Sequence, residues 1–327
     1  VITEYLKCLA DSSRPFFAHY FVTTRCNLRC SYCGIWRKDY SKFEDTDLSK
    51  KVIDKIKELG VHILSFTGGE PMLRDDITDL IKYAKSLGMY TQITTNGTMP
   101  EDKYISLAKS GIDFVSVSLD SLIPSETKYD PTKVIKSIFV LKENGIKPNI
   151  SCVISNSNLN LGSIRTMLDF ARVNKFSIML CPAVVKTEAS EYSFRVSSDI
   201  YDKGKVNEIY DFIDRNYWNY PLMDTIPFTK MSRDYMVGKR PYLCRAGLRF
   251  IDIMPNGDFG YCQDYFTDKN ILSEDFDYWW RFDREIDALK IQLACAGCVY
   301  GCYPNTDFMF TRNVFYTFLT LLKRRFI

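Results

Sequence analysis

Thr24-Arg25-Cys26-Asn27-Leu28-Arg29-Cys30-Ser31-Tyr32-Cys33 decides how the rest of the chain is read. It follows directly on His19–Thr24, an aromatic and β-branched run that predicts a buried strand. Three thiols at C-x3-C-x2-C spacing therefore stand in the loop at the carboxyl end of a strand, where α/β sheets and barrels place their chemistry. Three thiolates can wrap one corner of a cubane iron–sulfur cluster and leave the fourth iron without a protein ligand. An open coordination position is what lets a substrate or cofactor bind a metal directly. A structural zinc knuckle would need a fourth ligand, and the chain's two histidines, His19 and His62, are not in this loop.

Outward from this loop, short β-rich runs alternate with amphipathic stretches. The predicted strands are His19–Thr24, Ile63–Thr67, Tyr90–Thr95, Phe114–Leu119, Asn149–Ile154 and Ser177–Cys181. Between them, Val52, Ile53, Ile56 and Leu59 share one helical face, and Ile77, Leu80, Ile81, Ala84 and Leu87 share another. Val134, Ile135, Ile138 and Leu141 repeat the pattern before Gly145 stops it. Strand–helix alternation implies parallel strands with right-handed crossovers. Six such units are too few for a closed eight-stranded barrel, so the expected fold is α/β, an open partial (β/α)6 TIM-like barrel. After Cys181 the alternation ends. Pro255-Asn256-Gly257-Asp258 separates two β-rich runs and predicts a hairpin within a small Cys-rich β-hairpin/helix module. The expected organisation is an N-terminal helix over 1–18, the partial barrel over 19–185 and a connecting helical segment over 186–243. The cysteine module then spans 244–305 and an amphipathic C-terminal helix 306–327.

Composition narrows the function classes. With 327 residues, 46% hydrophobic, the chain can bury a sizeable core. Lys+Arg 43 against Asp+Glu 40, a net charge of +3, is too balanced for a nucleic-acid-binding footprint. No run approaches the roughly 18 apolar residues of a membrane span. The chain opens on Val1, which leaves room for a trimmed leader or anchor. Eleven cysteines, an odd number in a long αβ repeat, argue against a secreted disulfide framework and for a reducing, cytoplasmic setting.

The cysteine loop resembles the signature of the radical SAM superfamily, C-x3-C-x-aromatic-C after the first barrel strand: Cys26, Cys30, Tyr32 and Cys33 match it position for position. The second strand ends in Phe66-Thr67-Gly68-Gly69-Glu70-Pro71, which looks like that family's GGEP turn, assigned by the resemblance to the SAM amino group. Glycines there are expected to let the main chain approach a ligand closely. Thr94-Thr95-Asn96-Gly97 and Ser116-Val117-Ser118-Leu119-Asp120-Ser121 look like family segments that meet the SAM ribose and carboxylate. They carry over Thr95, Asn96, Ser118 and Asp120 as cofactor-binding candidates. Turn formation and capping are the competing roles for Asn96 and Asp120. The resemblance spans roughly residues 18–185. It implies a 4Fe-4S cluster that chelates S-adenosyl-L-methionine and, reduced by an external donor such as flavodoxin or ferredoxin, cleaves it. The resulting 5′-deoxyadenosyl radical takes hydrogen from an sp3 C–H bond.

Cys244, Gly257, Cys262, Cys295-Ala296-Gly297-Cys298 and Cys302 resemble the twitch or SPASM extension of the same superfamily, which carries auxiliary clusters. Five thiols suffice for one auxiliary 4Fe-4S cluster, with four of the five as ligands. A zinc ribbon is the alternative. Cys181, at the end of the last predicted strand, is a candidate hydrogen donor to a substrate radical, against the common state of a buried inert thiol. Glu188, Glu191 and Arg195 follow it as a charged loop or a substrate clamp. Residues 314–327, apolar with a basic end, could lie on an anionic membrane surface or dock on the domain. The resemblance points to a peptide substrate. A membrane lipid or small alcohol is the rival, and a zinc-stapled interaction protein is the non-enzymatic alternative.

Overall fold

The computed structural model describes residues 14–127, 129–184, 201–239, 244–295 and 297–308. In chain order the elements are β1 (Phe17–Thr23), α1 (Thr46–Glu58), β2 (Ile63–Gly68), α2 (Ile77–Ser86), β3 (Tyr90–Thr95), α3 (Glu101–Lys109), β4 (Phe114–Ser118), α4 (Pro131–Glu143), β5 (Asn149–Ile154), α5 (Leu161–Asn174) and β6 (Ser177–Pro182). There follow α6 (Lys203–Asn216), α7 (Ile226–Met236), β7 (Phe250–Ile253), β8 (Asp258–Cys262), β9 (Tyr265–Asn270), α8 (Phe276–Phe282), α9 (Arg284–Ala294) and α10 (Cys302–Phe308). All six predicted parallel strands form, within two residues of their expected bounds. The class is α/β, with a C-terminal antiparallel, cysteine-bearing ribbon. Segments 1–13, 185–200 and 309–327 lie outside the described residues, and with them Glu188, Glu191, Arg195 and the basic tail. Among the described residues no helix is long and apolar enough to cross a membrane.

Two compact units divide the chain. The first contains Val1–Thr95, Met99–Val115 and Leu243–Cys295. Its sheet runs β3-β2-β1-β7-β8-β9, with β1 parallel to both β2 and β7, and β8 antiparallel to its two neighbours. Strand parity sorts the side chains. Tyr20, Leu64, Phe66 and Ile93 are fully buried on the helix-covered face, where α1 presents Val52, Ile53 and Ile56 and α2 presents Leu80, Ile81 and Ala84. Asp45 caps α1 by accepting the Leu48 N–H at 2.8 Å. The opposite face carries His19, Ser65 and Gln92 in one row of the register.

The second unit contains Asn96–Thr98, Ser116–Tyr242 and Ala296–Ile327. Here β4, β5 and β6 are parallel, with Ser118 opposite Ser151, Ser151 opposite Met179, and Val153 opposite Cys181. Val117, Ile150, Cys152, Ile178 and Leu180 are buried on the helix side, against Val134, Ile138 and Leu141 of α4 and Ile164, Met167 and Leu168 of α5. The alternate positions Ser116, Ser118, Ser151, Val153, Met179 and Cys181 are half-buried and share the other face.

Candidate functional site

In the first unit the cysteine loop is tied down before any cofactor is considered. β1 slips register with β2 between Phe21 and Thr23, so the strand ends on an irregularity that turns the chain outward. Arg74, 3% exposed, donates from Nη1 to the Val22 carbonyl and the Ser49 hydroxyl, both at 3.0 Å. It also grips Asp76 through Nε at 2.8 Å and Nη2 at 2.5 Å. The Thr23 hydroxyl and the Arg25 guanidinium both donate to Glu44. Cys33 and Phe266 both pack against the buried group of Phe21, Ile35 and Met254, so the β7–β9 ribbon helps to hold the loop.

Burial tends to raise the Asp76 carboxyl, but hydrogen bonds from Arg74 and Thr46 outweigh it and hold Asp76 below the usual carboxylate range. A group depressed in this way contributes stability above the unfolded value of about 4 and loses it as pH falls. Asp76→Asn is therefore expected to cost about 1 kcal/mol at pH 7, the pair being partly screened by solvent. Denaturant unfolding at pH 7 and pH 3 checks this: the gap between variant and wild type should narrow at the lower pH, and a constant gap would disprove the assignment.

The GGEP turn lies directly on this loop. Gly69 and Glu70 donate their N–H groups to the Thr23 and Arg25 carbonyls at 2.9 and 2.8 Å. A Cβ on Gly68 would sit 2.0 Å from the Thr23 oxygen, and one on Gly69 would sit 2.1 Å from the Arg25 oxygen. What approaches these glycines is the main chain of Thr23–Arg25, a neighbour the sequence pattern does not reveal. Glu70 is fully buried, and its carboxylate accepts from the Met72 N–H at 3.0 Å and the Thr95 hydroxyl at 2.8 Å. Pro71 starts a short 3-10 turn capped by that same carboxylate. The structure thus brings Cys26, Cys30, Tyr32, Cys33, Gly68, Gly69, Glu70, Pro71 and Thr95 into one unit.

The donor chemistry of the loop fits a 4Fe-4S cluster. Every described cysteine is a thiol rather than half of a disulfide. The Leu28 N–H donates to Cys26 Sγ at 3.3 Å, and the Ile35 and Trp36 main chain donates to Cys33. Burial pushes the Cys33 thiol up, those N–H groups pull it down, and the nearby Cys26 adds a further upward push. Main-chain N–H bonds to sulfur are a lever by which proteins tune clusters.

Sequence reading missed a polar row on the open face of this sheet. Asp252, His19, Ser65 and Gln92 lie side by side across β7, β1, β2 and β3. His19 Nδ1 is 3.1 Å from Asp252 Oδ1, and Asp252 is fully buried. The available signal was Asp252 itself, a lone acid in the apolar run Phe250–Met254. Further along, Gln292 and Arg284 of α9 donate to the Ala246 and Gly247 carbonyls at 3.1 and 3.2 Å. They bind the loop after Cys244 to the helix that ends just before Cys295. Cys262 closes β8 and is buried.

In the second unit Asn96 accepts from the Thr98 N–H and hydroxyl at 3.0 and 2.6 Å, an Asx turn around Gly97. Asp120 is 7% exposed. One carboxylate oxygen takes the Val153 N–H at 3.0 Å, its carbonyl takes Asn158 at 2.7 Å, and its N–H donates to Tyr129. These bonds tie the end of β4 to β5. Ser118 stands on the open face of β4. Cys298 is buried with Val184, Phe228, Met231 and Val299, and Cys181 packs against that group. A cavity of about 540 Å3, lined by Tyr210, Tyr217, Trp218, Lys230 and Arg233, lies at α6 and α7 and contains none of the sequence-derived site residues.

Residues 20–171 match the family model described as the radical SAM superfamily. They form a radical SAM domain. The radical SAM segment thus runs from Tyr20 in β1 to Ala171 in α5 and includes the cysteine loop, the GGEP turn, Asn96, Ser118 and Asp120. The match ends before the C-terminal cysteines. Among curated relatives, Fe-coproporphyrin III synthase of Methanosarcina barkeri is 33% identical over 147 residues, 42% of this chain and 37% of that protein. GTP 3',8-cyclase of Clostridium perfringens is 29% identical over 194 residues, 55% of this chain and 59% of that protein. The chain therefore spans well under two thirds of the length of these relatives. Among solved structures, Streptococcus suis SuiB bound to precursor peptide SuiA superposes with a TM-score of 0.66 at 22% identity, over 94% of this chain and 75% of that one. Native anSMEcpe with bound AdoMet gives 0.64 at 16% identity, over 95% of this chain and 96% of that one. At such identities the likeness is one of fold, six parallel strands with a C-terminal antiparallel region, as in radical SAM partial barrels.

Proposed function

We propose that this chain is a radical SAM enzyme that functionalises an sp3 C–H bond of a peptide. Cys26, Cys30 and Cys33 would hold the SAM-binding 4Fe-4S cluster, and an auxiliary cluster would draw on Cys244, Cys262, Cys295, Cys298 and Cys302. When bound, the cluster and S-adenosyl-L-methionine supply a one-electron cleavage whose carbon radical removes hydrogen from the substrate. The chain's own contribution is position. Glu70, fixed by Met72 and Thr95, keeps the GGEP turn on the cysteine loop, and Arg74 keeps the end of β1 beneath it. Gln92 and His19, the latter paired with the buried Asp252, offer hydrogen-bonding groups on the face away from the helices, where a substrate would lie.

The observation that carries the reading is the joining of the three-thiol loop to the GGEP turn by two main-chain hydrogen bonds. Peptide is favoured over nucleotide because the fold likeness covering nearly the whole chain is to proteins bound to peptides, whereas the likeness to the cyclase of Clostridium perfringens covers 55% of it. The test is anaerobic turnover with reductant, S-adenosyl-L-methionine and a pooled library of perdeuterated peptides. Deuterium is expected in the 5′-deoxyadenosine formed. Deuterium arriving from labelled GTP and not from peptide would transfer the reading to nucleotide chemistry.

A further inference from the structure

The Cys298–Cys302 loop of the second unit is seated on β6. Asn305 donates to the Gly301 carbonyl at 2.8 Å, and its side-chain oxygen accepts from Thr225 at 3.3 Å, so the start of α10 is anchored. Gly301 presses onto the open face of β6: a Cβ there would lie 2.9 Å from both Cys181 Sγ and Met179 Sδ. The Gly301 N–H points at the Cys181 sulfur, and Cys302, the next residue, lies near that thiol. Cys298, three residues earlier, is buried in the apolar group against which Cys181 packs. Three thiols far apart in sequence, one on a rigid strand and two on a tight loop, are thus gathered on one side of β6.

We propose that Cys181 is a thiolate ligand of the auxiliary 4Fe-4S cluster, alongside Cys298 and Cys302. The inference rests on the auxiliary-cluster reading above and takes one of the cubane's four ligands from outside the C-terminal cysteine motif. A sulfur covered by a glycine main chain and accepting its N–H has the surroundings of a cluster ligand.

The experiment uses the full-length chain carrying Cys26→Ala, Cys30→Ala and Cys33→Ala, so that only auxiliary iron is counted after anaerobic reconstitution. This parent should hold about four irons per chain. Adding Cys181→Ala should lower iron and sulfide at least fourfold, whereas adding Met179→Leu, which alters packing against the same glycine, should leave them unchanged. Adding Cys181→Ser keeps the side-chain shape and should shift the EPR spectrum of the reduced cluster. A parent without iron overturns the auxiliary cluster and this ligand together. A parent with iron, matched by Cys181→Ala in iron content, overturns only the ligand. Should Cys181→Ala fail to fold, an unshifted EPR spectrum in Cys181→Ser overturns it instead.

Discussion

Cys30→Ala is expected to reduce 5′-deoxyadenosine formation by at least about a thousandfold, more than about 4 kcal/mol in activation free energy, without unfolding the chain. Cys30 sits half-buried in a loop, where its main-chain oxygen accepts the Cys33 N–H at 3.2 Å. Alanine keeps that carbonyl. Stability should therefore change by no more than about 0.5 kcal/mol, while iron falls by about four per chain as one corner of the cubane loses its thiolate. Cys152→Ala provides the opposite pattern. That thiol is fully buried in β5 and donates to the Asp120 carbonyl at 3.3 Å, so its loss should cost roughly 1–2 kcal/mol and leave iron unchanged. Iron per chain and thermal unfolding, measured on both variants, separate the two kinds of cysteine. Normal SAM cleavage by Cys30→Ala would remove the basis for the proposed chemistry.

β3 to β6 were legible because each is buried on its helix side and partly open on the other, which forces alternation at period two, whereas β1 is buried almost throughout and reads as a continuous apolar run. Tyr90–Thr95 and Asn149–Ile154 match their expected bounds for this reason. The helix stop read at Gly145 was legible because glycine takes the positive φ, +85° here, that ends α4 just past its C-cap Asn144. The partner of β1 on its far side was not. β7 pairs with it in parallel across more than two hundred residues, and no local pattern encodes so distant a neighbour. The ribbon's contribution to the cysteine loop, through the Phe21, Ile35 and Met254 group that both Cys33 and Phe266 pack against, was hidden for the same reason.

The site was legible as a set of residue types and illegible as a set of contacts. Cysteine spacing and the GGEP turn name the chemistry, yet nothing in Met72-Leu73-Arg74-Asp75-Asp76 says that Arg74 will be buried beneath the end of β1 while both acids stay accessible enough to pair. Asp120 and Asn96 were weighed as cofactor contacts or as capping and turn residues, and their observed bonds include structural ones. Cys181 was placed correctly at a strand end, but its closeness to Gly301 depends on a loop more than one hundred residues later.

Gly68→Ala should be the most damaging single substitution outside the cysteines, at about 4 kcal/mol or more, roughly a 10 °C fall in melting temperature. Two penalties combine there. Its φ of +131° is a backbone region that side-chain-bearing residues rarely enter. The added carbon would also lie 2.0 Å from the Thr23 carbonyl oxygen, a main-chain atom that cannot swing aside like a flexible side chain. Relief requires the turn to lift from β1, which breaks the Gly69 and Glu70 main-chain bonds and carries the buried Glu70 carboxylate with it. Gly88→Ala isolates the first penalty, because Gly88 has φ +73° and nothing within 4 Å of the added carbon; it should cost only about 1–2 kcal/mol. Melting curves of the two variants give the difference, and equal losses would mean that the GGEP turn does not rest on the end of β1. Iron content adds a functional readout: lifting the turn should lower the retention of iron by Cys26, Cys30 and Cys33 in Gly68→Ala and leave it unaltered in Gly88→Ala.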